Sequence, residues 1–158
     1  MERSAGHIPG SSFPIGGINT HALITAHRGL PSAKLFTNLD RLKVGDQVYI
    51  HVQDESLAYE VDQIKVVLPE DTSNLRISEG KDYVTLVTCT PYGINTHRLL
   101  VRGKRTVYIP QVEEQQVAET KKKSNRMILL YTAGILIAIL FIFIGYIMRK
   151  KFLEKKNR

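Results

Sequence analysis

Over residues 1–110 the hydrophobic positions come in short runs that follow the two-residue period of strands, not the longer period of a helix. "HALITA" (21–26) reads as a largely buried strand. "DQVYIHV" (46–52) alternates, with Val48, Ile50 and Val52 on one face and His51 on the other. "LAYEVDQIKVV" (57–67) is a longer strand whose Leu57, Tyr59 and Val61 share a face, and the polar "QDES" before it fits a hairpin loop. "DYVTLVTC" (82–89) is a buried-type run ending at Cys89, and "HRLLVRGKRTVYI" (97–109) supplies one or two further strands. Short helices are predicted at 32–39, after the "RGLP" turn, and near 71–75. Short strands separated by Gly and Pro make this region mostly β, a barrel or a sandwich, without internal repeats.

The pattern changes after residue 110. "QVEEQQVAETKKKSN" is polar and without periodicity, so 111–126 reads as a stalk or linker, with a helical form near the bilayer left open. The stretch 127–148, "MILLYTAGILIAILFIFIGYIM", has 22 residues and no charge. At about 1.5 Å per residue it is about 33 Å of helix, against a hydrocarbon core of about 30 Å, and this predicts one transmembrane helix. Tyr131 and Tyr146 stand near its ends, where amphipathic rings favour the interface. The tail 149–158 carries six Lys/Arg and the preceding "KKKSNR" four, which predicts a cytoplasmic C-terminus and an outward N-terminal region in a single-pass cell-membrane protein. The opening "MERSAGHIPGSSFPIGG" has no apolar segment of the signal-peptide kind.

Charge then narrows the choice of partners. The net charge is +7, but residues 1–110 hold 12 Lys/Arg against 11 Asp/Glu, a net of +1. Most of the basic excess lies in the tail, where six Lys/Arg face one Asp/Glu. No basic stripe interleaved with aromatics is present, so the charge is assigned to the membrane and not to nucleic acid. A single cysteine makes neither an internal disulfide nor a cysteine-rich zinc site. It is left as a structural thiol, an intermolecular bridge or a nucleophile.

A nucleophilic cysteine needs a base and a donor for the developing oxyanion. The histidines are His7, His21, His27, His51 and His97. His51 lies on the polar face of its strand and His7 in an irregular start. His97 follows Cys89 beyond a Pro-Tyr-Gly turn, and His27 stands where a strand ends, a common place for functional side chains. Arg98, Arg102 and Arg105 are the candidate donors, or else arginines on a solvated edge strand. A metal site from His21, His27 and Cys89 lacks the usual ligand spacing.

Two blocks, "ITAHRGLPSAKLFTNLDRLKVGD" and "YVTLVTCTPYGINTHRLLVRGKR", resemble the signature blocks of sortases, the Gram-positive cysteine transpeptidases, and within them the pilin-polymerising class C. The match covers roughly residues 7–110, and its most specific element is TLxTC with an arginine nine positions on. The resemblance implies a closed, mostly antiparallel β-barrel with short helices. It implies Cys89 as nucleophile, His27 as its imidazole partner and Arg98 as the arginine that stabilises the oxyanion, with His97 uninvolved and no cofactor or metal. The implied reaction cleaves an LPXTG-type sorting signal between Thr and Gly through a thioester. The acyl group then passes to an amine, a pilin lysine or, in the housekeeping kind, a cell-wall precursor. The class C leading helix, first barrel strand and Asp-Pro-aromatic lid have no match here, so the catalytic domain 1–110 is expected to be shortened at its N-terminus. Hydrolysis through the same trio and a non-catalytic remnant are the competing expectations.

Overall fold

A computed structural model describes residues 4–30 and 33–156, with side chains through residue 139. The chain separates into two compact units, Met1–Ile109 and Pro110–Arg158. In the first unit β1 (Gly6–His7), β2 (Thr20–Thr25), β3 (Gln47–Val52), β4 (Glu55–Val67), β5 (Asp82–Thr90) and β6 (His97–Thr106) form one sheet in the order β1-β2-β5-β6-β4-β3. Every pairing is antiparallel except that of β2 with β5.

The alternation read from the sequence sets the faces. Leu57, Tyr59 and Val61 of β4 pack with Val84 and Leu86 of β5, Leu99 and Val101 of β6, and Ala22 of β2. Val48, Ile50 and Val52 of β3 close over this cluster, and Leu39 enters it from a 3₁₀ turn, Leu39–Arg41. The β3–β4 hairpin is tight, with Val52 opposite Glu55 and Gln53 at φ 50°. Gly103 is required in β6 because a Cβ there would stand 2.8 Å from the Cβ of Tyr59.

Three expectations are corrected. The sheet is an open half-barrel among the described residues, not a closed barrel: β1 and β3 are its two edges, and each pairs on one side only. The helix expected at 32–39 is replaced, over its described residues 33–39, by successive turns, with Leu35 at φ 31° interrupting any helical run. The short helix near 71–75 is a 3₁₀ turn, Ser73–Leu75.

A further correction concerns the second unit, which is a continuous helix α1, Pro110–Lys156, that takes in the polar 111–126 stretch. Among the described residues no helix is long and apolar enough to cross a membrane, so the transmembrane helix expected at 127–148 is not supported. The side chains of 140–148 and of the basic tail 149–158 lie outside the described residues.

His21 is the one fully buried histidine, and its wiring has a measurable consequence. Its Nδ1 stands 2.9 Å from the Arg76 carbonyl, which can only accept, so Nδ1 carries the proton and Nε2 accepts from the Thr85 hydroxyl at 2.7 Å. Burial lowers its pKa from the ordinary value, and the Arg102 charge adds to this. The Arg76 hydrogen bond and Asp62 oppose it. The unfolded chain therefore takes up the proton first as pH falls below about 6.5, so the His21 contribution to stability is present above that pH and lost below it. Thermal melts across that pH are expected to show this slope, and His21→Gln to flatten it. Equal slopes in the two proteins would remove His21 as the cause.

Candidate active site

Cys89 lies at the end of β5, where the β-branched run "VTLVTCT" favours an extended chain. A turn follows, in which the Ile94 and Asn95 N–H groups donate to the Pro91 carbonyl at 3.1 and 3.0 Å. Gly93 at φ 77° and Asn95 at φ 63° supply the left-handed conformations such a turn needs. The chain then returns as β6, and the antiparallel register sets Arg98 directly opposite Cys89.

His27 arrives by a different route. Because β2 runs parallel to β5, both strands finish at the same end of the sheet, with Thr25 beside Val87. The Ala26 N–H continues the ladder to the Val87 carbonyl at 3.3 Å, and the buried Thr88 hydroxyl donates to the Ala26 carbonyl at 2.9 Å. Carried two residues past Thr25, that register sets His27 level with Cys89. The three backbones thus stand in a row on neighbouring strands, about 10 Å from end to end at the usual strand spacing. His27 is exposed, and Cys89 and Arg98 are partly buried. The Arg98 Nη1 donates to the Asn95 and His97 carbonyls at 3.2 and 3.1 Å, which folds its guanidinium onto the turn beside Cys89.

The other candidates are engaged elsewhere. His97 pairs with Thr90 and its Nδ1 meets the Thr96 hydroxyl, and His51 is exposed on β3 beside Ser56. His7, in edge strand β1, stacks on Phe13 and shares its Nε2 with the Ser11 hydroxyl and the Ser12 carbonyl, and both His21 nitrogens are committed within the fold. Arg102 makes a two-pronged ion pair with Asp62 at 2.9 Å and lies over the Tyr83 ring, and Arg105 lies over Tyr59. Tyr59 also donates to Asp82, and burial foremost, with that carboxylate, pushes its hydroxyl up to about 12. Among the described residues no three His, Cys, Asp or Glu side chains are grouped to hold a metal.

Residues missed in the sequence connect the stretches that follow His27 and Cys89. Arg28, which follows His27, pairs with Asp40, reaches Thr90 and lies by the Tyr92 ring. The only sequence signal for them is adjacency: Arg28 to His27, and Thr90 to Cys89.

A strand-end cysteine level with a histidine and opposite an arginine, on an open antiparallel-rich sheet, has the parts of a thiol-dependent acyl-transfer site. The sortase domain family matches residues 1–106, and the chain belongs to that family. It is 57% identical to the crystallised sortase C1 of Streptococcus agalactiae, with a TM-score of 0.67 over 68% of this chain and 55% of that one. It is 60% identical to the sortase C of Streptococcus pneumoniae, with a TM-score of 0.65 over 66% of this chain and 55% of that one. These identities put it in class C. Sortase A of Streptococcus agalactiae serotype III (strain NEM316) is 32% identical over 118 residues, 72% of this chain and 47% of that protein. The chain spans about half the length of the relatives it matches.

Proposed function

We propose that the chain carries the catalytic part of a class C sortase, a cysteine transpeptidase that cleaves an LPXTG-type sorting signal and passes the acyl group to a pilin lysine. The observation that supports this reading is the register that pairs Cys89 with Arg98, together with the parallel strand β2 that ends at Thr25 beside Val87, two residues before His27. The Cys89 thiolate attacks the threonine carbonyl, and the Arg98 guanidinium donates to the oxygen as it becomes negative. The C–N bond to glycine breaks, the His27 imidazolium gives its proton to the leaving amine, and a thioester remains. The acceptor amine then attacks the thioester, loses its proton to His27, and the thiolate leaves. An amide replaces an amide, so no oxidant or metal is needed. The substrates of this reaction are surface proteins, which puts the catalytic sheet on the outer side of the cell.

The test is intact mass of the full chain after mixing with an LPXTG-type peptide, followed by addition of a lysine-bearing pilin peptide. A thioester-sized gain and then a ligated product are expected. Cleavage without ligation would replace transfer by hydrolysis, and no gain at all would defeat the assignment.

A further inference from the structure

We propose that Arg28, Asp40 and Tyr92 form a clamp that holds His27 at Cys89, so that Arg28 and Tyr92 act as positioning residues; this rests on the reading of His27 as the partner of Cys89. The backbone ladder between β2 and β5 ends with the Ala26–Val87 bond. Beyond it, side chains of the next residues make the link. The Arg28 Nη1 donates to the Thr90 hydroxyl at 3.4 Å, joining the residue after His27 to the residue after Cys89. Its Nη2 meets the Asp40 carboxylate at 2.5 Å, on the 3₁₀ turn that plugs the core. Its guanidinium carbon lies 5.9 Å from the centre of the Tyr92 ring, in the turn between Cys89 and Arg98.

Gly29 completes the fit. It has φ +82°, and a Cβ there would fall 2.4 Å from Cε2 of Tyr92, so that ring lies directly on the glycine. The His27 carbonyl accepts from the Phe36 N–H at 3.2 Å, and the Gly29 N–H donates to the Thr37 hydroxyl at 3.1 Å. The backbone on both sides of Arg28 is thereby pinned.

The cost of this arrangement points to its purpose. The Arg28 side chain is only 10% exposed, and its Nε is buried without a hydrogen-bond partner. A buried guanidinium with an unpaired N–H is a poor way to gain stability, because desolvation offsets much of the ion pair. What the pair does supply is direction: it ties two stretches of the β2–β3 connection to each other and to the β5–β6 turn. An acid–base partner displaced by about 1 Å loses on the order of a hundredfold in rate, so holding His27 is worth that cost.

The test uses Cys89 as its own reporter, since it is the only cysteine in the chain. Iodoacetamide alkylation of the full chain is followed by mass for the parent, Tyr92→Ala, Tyr92→Phe and Asp40→Asn. Tyr92 is 59% exposed and Asp40 47%, so these variants are expected to fold. Tyr92→Ala and Asp40→Asn are expected to slow alkylation about tenfold, a part of the ~10²–10⁴-fold that a placed acid–base partner supplies. Tyr92→Phe keeps the ring and the rate. In a His27→Ala background the same substitutions are expected to change nothing. Parent-like rates for Tyr92→Ala and Asp40→Asn, or equal slowing in both backgrounds, overturn the clamp. If His27→Ala alone leaves alkylation unchanged, the pairing of His27 with Cys89 fails, and the clamp with it.

Discussion

Cys89→Ala is expected to reduce ligation of an LPXTG-type peptide by roughly 10⁴- to 10⁶-fold, the range seen when one member of a nucleophile–base unit is removed. The acyl group has nowhere else to go, because the chain has no second thiol. The fold is expected to be spared. Cys89 is only partly buried and lies outside the core cluster, so truncating it changes stability by no more than about 1 kcal/mol. Mass spectrometry for the thioester and a thermal melt on the same sample check both halves. Ligation by a well-folded Cys89→Ala protein would mean that another group is the nucleophile.

Arg98→Ala carries the second large effect, a fall in kcat of roughly 10²- to 10³-fold, as when one oxyanion donor is lost. The guanidinium holds the 95–97 turn through one nitrogen while lying across from Cys89. A planar fork can keep that anchor and still donate to a substrate oxygen. A lysine has one ammonium for both tasks, so Arg98→Lys is expected to recover only a small part of the loss. Single-turnover thioester formation separates this step from the later transfer to amine. Full activity in Arg98→Ala would remove the oxyanion role and leave the residue as a turn anchor.

Much of the sheet is legible from alternation. The strands read at 21–26, 46–52, 57–67 and 82–89 fall close to β2, β3, β4 and β5, and 97–109 contains β6. The shared face of Leu57, Tyr59 and Val61 is the core face, and His51 is exposed as its position in the pattern requires. These features depend on which side of a pleat a residue stands, and that is local. Strand β1 escapes notice because two residues carry no period. The helix expected at 32–39 fails because a positive φ at Leu35 is a tertiary accommodation that composition does not announce. The barrel remains open because β1 and β3 have no second neighbours among the described residues, a property of the sheet that no single strand encodes.

The site divides in the same way. Spacing alone left His27 and His97 as bases and three arginines as donors, and only the two sortase-like blocks singled out His27, Cys89 and Arg98. The sequence by itself determined the strands, their buried faces and the family. Only the tertiary structure decided that β2 and β5 run parallel, so that two strand ends about sixty residues apart lie side by side at one end of the sheet. It also decided that Arg28 meets both Asp40 and Tyr92. The physical reason is register: pairing between distant strands is chosen by packing both faces of the whole sheet at once, while the local pattern specifies only which face each residue takes.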